Sequence, residues 1–251
     1  MNKRNYEKKN IVSSYAHSLL QKPEERILEK YRKNILGKRV LDVGCGAGRT
    51  TSYLNDLSKS YTGIDYSFEM IEVCRERFKH VPFIHGDVRN MYMFKDGSCD
   101  FVMFAYNGID SISHEDRIMG LREINRVLCQ NGLFVFSTHN RNHRNAITCP
   151  GFPFSFDPHT LRKNIFKFVK SICNHRKQKK KQKFEKKYAI INDRAHNYAM
   201  LTYYIDKKNQ RSQLREVGFD VVEMYDTFGN VLEDNSYDGD SAWIYYVTQK
   251  L

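Results

Sequence analysis

Two periodicities alternate along this chain. Short strand-like runs stand at Val40-Leu41, at Ser60–Asp65 and at 81–86, 99–105 and 133–138, each too short for a helix. Between them the apolar spacing turns helical, from Arg49 onward, from Ser67 onward and over 115–129, with a turn expected at Asn131-Gly132. Strands alternating with helices over residues 39–138 predict an α/β core. Ahead of it, residues 10–20 and 24–36 carry helical spacing, with Pro23 placed at the start of the second helix. Behind it, residues 198–205, Phe219–Tyr225 and 243–248 read as strands, and 207–217 as a helix stopped by Gly218. The expected division is a helical cap (1–36), a core (37–139), an insertion (140–197) and a return to the core sheet (198–251).

The most specific segment is Asp42-Val43-Gly44-Cys45-Gly46-Ala47-Gly48, directly behind the first strand. Glycines there let the backbone turn sharply and approach a ligand closely. A dinucleotide fingerprint would place a small residue at 49 for helix packing; this chain has Arg49. Asp42, two residues before the first glycine, would repel a pyrophosphate and suits a ligand carrying an ammonium and a sulfonium. Cys45 is expected to contribute its backbone.

In this loop and the segments that follow, the chain resembles the class I S-adenosylmethionine-dependent methyltransferases, small-molecule type. The resemblance implies a Rossmann-like, doubly wound, seven-stranded sheet, mostly parallel with the last strand inserted antiparallel, and S-adenosyl-L-methionine as cofactor. It assigns the cofactor to Asp42, Gly44, Cys45, Gly46 and Gly48. Asp65, with Tyr66 beside it, falls on the ribose hydroxyls. Asp87 and the Val88 amide fall on the adenine, and Ala105 lies at the end of the fourth strand. N-terminal helices commonly close over the cofactor in this family, and Tyr15 resembles the aromatic residue that covers its methionine end; a plain packing role fits Tyr15 as well. Asp65 and Asp87 also fit plain capping roles, although both stand at carboxyl ends of consecutive strands, where open α/β sheets bind ligands. The resemblance covers 39–138 closely and 207–250 in outline.

Composition narrows the picture. No run approaches the length of a membrane span, and the polar start at residues 1–10 has no signal-peptide pattern, so a cytoplasmic protein is expected. The six cysteines are widely spaced with no C-x-x-C pair, which gives neither a metal pattern nor a disulfide framework. The net charge of +12 is uneven: residues 176–187 hold eight Lys or Arg and one Glu, a net of +7. Such a run fits either solvated surface or a phosphate-binding segment. Upstream of it, residues 159–173 read as an amphipathic helix, and 149–158, with three Pro and three Phe, as an apolar lid, a pocket wall or a loop packed on the sheet.

Methyl transfer needs a base only when the acceptor holds a proton. His139, at the end of the fifth strand, is the candidate base, with Asn107 and Asn140 as acceptor-orienting groups; a structural hydrogen-bonding role is the alternative for His139. The fourth strand runs into Tyr106-Asn107-Gly108 rather than Asp/Asn-Pro-Pro-Tyr/Phe, and no Pro-Cys occurs. Exocyclic base-amine and cytosine carbon-five methylation are therefore disfavoured. The expected activity is O- or N-methylation of a small molecule. The alternatives are an RNA methyltransferase using residues 162–187 and a non-catalytic cofactor-binding regulator.

Overall fold

The computed structural model describes residues 19–251, apart from the side chains of 195 and 196. Tyr15 lies outside the described residues, as do all but the last two positions of the helix expected over 10–20. In chain order the elements are α1 (Lys22–Lys30), β1 (Arg39–Val43), α2 (Thr51–Leu57), β2 (Ser60–Asp65), α3 (Phe68–Arg77), β3 (Phe83–His85), β4 (Cys99–Phe104), α4 (His114–Val127), β5 (Leu128–Asn140), α5 (Pro158–Lys179), β6 (Lys183–Phe184), β7 (Tyr188–Ile191), β8 (Thr202–Ile205), α6 (Lys207–Glu216), β9 (Phe219–Tyr225) and β10 (Trp243–Lys250). Short polar side chains begin the helices. Ser67 Oγ accepts the Met70 amide at α3, Ser113 that of Asp116 at α4, and Asp206 that of Asn209 at α6, each worth about 1 kcal/mol.

Strands β3, β2, β1, β4 and β5 lie side by side and parallel. β10 adds antiparallel to β5, pairing Trp243 with His139 through Gln249 with Leu133, and β9 adds antiparallel to β10. This is the expected seven-stranded sheet. Alternation along β5 shows how one sheet serves two cores. Phe134 and Phe136 pack with Leu121, Ile124 and Val127 of α4 and Leu214 of α6, while Leu133 and Val135 belong to the core with Ile27 and Leu28 of α1, Leu54 of α2 and Ile71 of α3.

Two features depart from expectation. β5 begins at Leu128, and the turn expected at Asn131-Gly132 is a bulge within it: Asn131 has φ 61°, and pairing with β4 jumps from Cys99–Leu128 to Phe101–Leu133. At its other end β5 outruns β4, so His139 and Asn140 pair with Tyr204 and Ile205 of β8. β7 and β6 follow antiparallel. Of the segment 198–205, Thr202–Ile205 therefore joins an appended ribbon at the carboxyl end of the sheet, and the strands number ten among the described residues. α5 also runs further than expected, to Lys179, into the basic run. Among the described residues no helix is long and apolar enough to cross a membrane.

Candidate active site

A cavity of about 210 Å³ opens at the carboxyl ends of the parallel strands, lined by the glycine loop, by Asp65 and Tyr66 after β2, by Gly86 to Arg89 after β3 and by Ala105, Tyr106, Gly108, Ser111 and Ile112 after β4. Gly44 has φ +62°, and a Cβ there would stand 2.5 Å from Phe104 Cε2, so both backbone conformation and space demand glycine. The Gly46 amide donates to Asp65 Oδ2 at 2.9 Å, and the Ser67 amide to Oδ1 at 2.8 Å. Ser67, not Asp65, is the N-cap of α3, and Asp65 holds the turn before it through the Ser67 amide. Cys45 meets the loop through its backbone, its amide bonded to Ile64 O.

The two buried aspartates are held differently. Asp42 Oδ2 accepts the hydroxyls of Thr50 at 2.6 Å and Tyr61 at 2.9 Å, tying the loop to the strand beside it. Burial pushes the Asp42 and Asp65 carboxyls up to about 6, against hydrogen bonds that favour their charged forms. Asp87 is half-exposed, with both oxygens on Arg89, and Val88 packs toward the α4 side of the core. Arg49 turns away from any helix-packing role. It forms a buried ion pair with Glu24 of α1, and its guanidinium lies 5.0 Å from the Tyr106 ring centroid. Glu24 also accepts the Tyr245 hydroxyl at 2.7 Å.

Beyond the cavity wall at Ser111 and Ile112 lies a second polar centre. Asp110 is 1% exposed and accepts four hydrogen bonds. Oδ2 takes the His139 amide and Nδ1, both at 2.7 Å, and Oδ1 takes Arg117 Nη1 and Thr138 Oγ1, both at 2.6 Å. Arg117 is itself fully buried, bonded to Gln213 at 2.9 Å, Gln210 at 2.7 Å and Thr138 at 3.2 Å, with the Tyr203 ring at 4.5 Å. The Nδ1–H bond fixes the His139 tautomer with Nε2 as acceptor; the side chain keeps 20% exposure. Asn107 stands in the left-handed region at φ 57°, its amide on Ser137 Oγ and its buried Oδ1 without a partner among the described residues. Asn140 is otherwise engaged: Nδ2 donates to Asp238 O and Ser241 O, and Oδ1 accepts the Asn142 amide. It closes the end of β5 and is not available to an acceptor.

Residues 40–132 match a family described as a methyltransferase domain. A demethylmenaquinone methyltransferase of Staphylococcus haemolyticus is 29% identical over 182 residues, covering 70% of this chain and 68% of that one. A fatty-acid O-methyltransferase of Mycolicibacterium smegmatis is 34% identical over 109 residues, 41% of this chain and 38% of its own. An S-adenosylmethionine-dependent methyltransferase of Clostridium acetobutylicum superposes with a TM-score of 0.62 at 14% identity, covering 91% of each chain. Residues 40–132 are a methyltransferase domain, and the fold that carries it is that of the S-adenosylmethionine-dependent methyltransferases.

The cavity of the methyltransferase fits that cofactor on its own chemistry. Two buried carboxylates line it, a lining that opposes phosphates and favours cations and hydroxyl donors. Neither Asp110 nor Arg117 stood out in the sequence reading. Arg117 occupies the apolar stripe of α4, four positions before Leu121 and seven before Ile124. A charged residue at such a position is a usable signal, since a buried guanidinium requires partners. Phe152, Phe154 and Phe156 are exposed and are not part of the cavity lining.

Proposed function

We propose that this methyltransferase methylates a hydroxyl of a small-molecule acceptor, with His139 as general base. The carrying observation is the 2.7 Å bond from His139 Nδ1 to Asp110 at the end of β5. When bound, S-adenosylmethionine supplies a methyl group already activated on a sulfonium, which leaves positioning and proton removal to the chain. Asp65 takes the ribose hydroxyls, Asp87 and the Val88 amide the adenine, and Tyr66 and Ala105 wall the site. Asp42 and the glycines carry the methionine end. Asp110, paired with Arg117, keeps the imidazole oriented and stabilises its protonated form as the acceptor's hydroxyl proton passes to Nε2. Asn107, in the turn after β4, orients the acceptor by donating from Nδ2 to its oxygen. The names of the two curated relatives, which specify demethylmenaquinone and a fatty-acid oxygen, support a small, largely apolar acceptor.

The test is transfer of labelled methyl from S-adenosylmethionine into a cell extract divided into small-molecule, RNA and protein fractions, with Asp65→Ala as blank. Label is expected in the small molecules, and label confined to RNA would overturn the reading. With the acceptor in hand, His139→Ala is expected to lower kcat by about 10²- to 10⁴-fold while cofactor affinity stays unchanged.

A further inference from the structure

The segment 150–187 contains no fully buried residue. The loop before α5 rests on the helix through the Phe152–Phe168 ring pair, 5.3 Å between centroids, and the Asn164 amide on Pro153 O at 2.7 Å. The far half of α5 is tied to the ribbon side by Asn174 on Asn197 O, His175 on Asn192 and Gln178 on Ala199 O. The half-buried positions Leu161, Asn164, Phe168, Ile172 and His175 recur at helical spacing and form the inner face. The outer face carries Ile165, Phe166 and Val169, continued by the loop residues Phe154 and Phe156. Phe154, Phe156 and Phe166 are 65%, 94% and 71% exposed.

Charge surrounds this apolar surface. Residues 162–187 contain twelve Lys or Arg and one Glu, a net of +11 out of the chain's +12. Among the described residues, Lys187 with Glu216 is the ion pair these twelve cations make. The other eleven cations make no ion pair among the described residues, while large apolar side chains stand exposed beside them.

We infer that α5 and the loop before it form a docking surface for an anionic lipid bilayer, with Phe154, Phe156 and Phe166 inserted into the acyl boundary and the surrounding Lys and Arg on the headgroups. A basic helix with apolar side chains on its outward face lies in the plane of such an interface, held by apolar burial and by attraction to anionic lipid. The aliphatic members decide between partners. Nucleic acid offers phosphates to the lysines and stacking to phenylalanine but nothing to Ile165 and Val169, whereas acyl chains accommodate all of them. The ribbon to which α5 is tied pairs with β5 at His139. The inference does not depend on which atom is methylated.

The test is sedimentation of the full chain with vesicles of phosphatidylcholine alone and of phosphatidylcholine mixed with phosphatidylglycerol. Binding is expected to the mixed vesicles only and to fall as salt is raised. The triple variant Phe154→Ser, Phe156→Ser, Phe166→Ser is expected to bind them at least about tenfold more weakly, and Lys163→Glu, Lys167→Glu, Lys170→Glu to lose binding, both with wild-type cofactor affinity as the folding control. Independently of any variant, mixed vesicles should slow trypsin cleavage of the wild-type chain after Lys163, Lys167 and Lys170. No binding to mixed vesicles, equal binding by the Phe variant, unaltered cleavage, or binding to an RNA oligonucleotide in place of vesicles would each overturn the proposal.

Discussion

Asp65 concentrates the chemistry of the proposed cofactor site in one side chain. Its carboxyl is buried, raised to about 6, and bonded to the amides of Gly46 and Ser67. Ligand hydroxyls add to these bonds at the acceptor capacity that remains. Hydroxyl donors favour the charged form, and affinity for the cofactor should fall as pH drops through 6. Calorimetric titration is expected to give about tenfold weaker binding at pH 5 than at pH 7.5; an unchanged Kd would remove Asp65 from the ligand. Asp65→Ala should abolish most binding at every pH while leaving the circular dichroism spectrum intact. Gly44→Ala should be costly for a different reason, since the added methyl meets the Phe104 ring at a left-handed φ. About 1–3 kcal/mol of lost stability is expected in denaturant titration.

At the scale of elements, the connection between α1 and the glycine loop is an ion pair between nearly dehydrated groups, Arg49 at 7% and Glu24 at 0% side-chain exposure. Such a pair adds little over an apolar replacement, but removal of one partner strands a charge. Arg49→Met is therefore expected to cost roughly 3–5 kcal/mol in urea unfolding, and the double variant Arg49→Met, Glu24→Gln markedly less than the sum of the two single changes. Strict additivity would mean the two side chains are independent. The same logic governs α4, where Arg117 joins the turn after β4 to α6. Arg117→Met leaves Asp110 without its cation and should lower both stability and the activity that depends on His139.

For the whole molecule, two buried aspartates with raised pKa values imprint a pH dependence on folding. A raised carboxyl means that the folded state binds the proton more tightly than the unfolded chain. The contribution of Asp42 is therefore fully present below its ordinary value of 3.8 and is lost as pH rises through about 6. Asp42→Asn, which keeps an acceptor oxygen for Thr50 and Tyr61, should gain up to about 3 kcal/mol on the wild type at pH 7.5. That gain should shrink toward zero near pH 4; an equal difference at both pH values would deny that the carboxylate is the cause. Thermal melts across this range provide the measurement.

The lining of the cavity was legible because its signals are local. A glycine loop, an acid at the end of the next strand and another after the third are fixed by spacings of a few residues, and backbone sterics give them one meaning. Boundaries slipped where local signals gave way to pairing. Asn131-Gly132 reads as a turn, but β4 and β10 flank the strand and absorb those residues as a bulge. Residues 198–205 read as a core strand, yet the free edge beyond the end of β4 recruited them into the ribbon. His139 could be nominated from its place at a strand end, whereas its partner Asp110 and the cation behind it could not. That network spans 29 residues from Asp110 to His139 and 96 from Arg117 to Gln213. The sequence determined the strand–loop–helix grammar and the cofactor that suits it. Only the tertiary structure decided which buried charges meet, because dehydrated groups are paired by the packing of whole elements and no local spacing encodes that encounter.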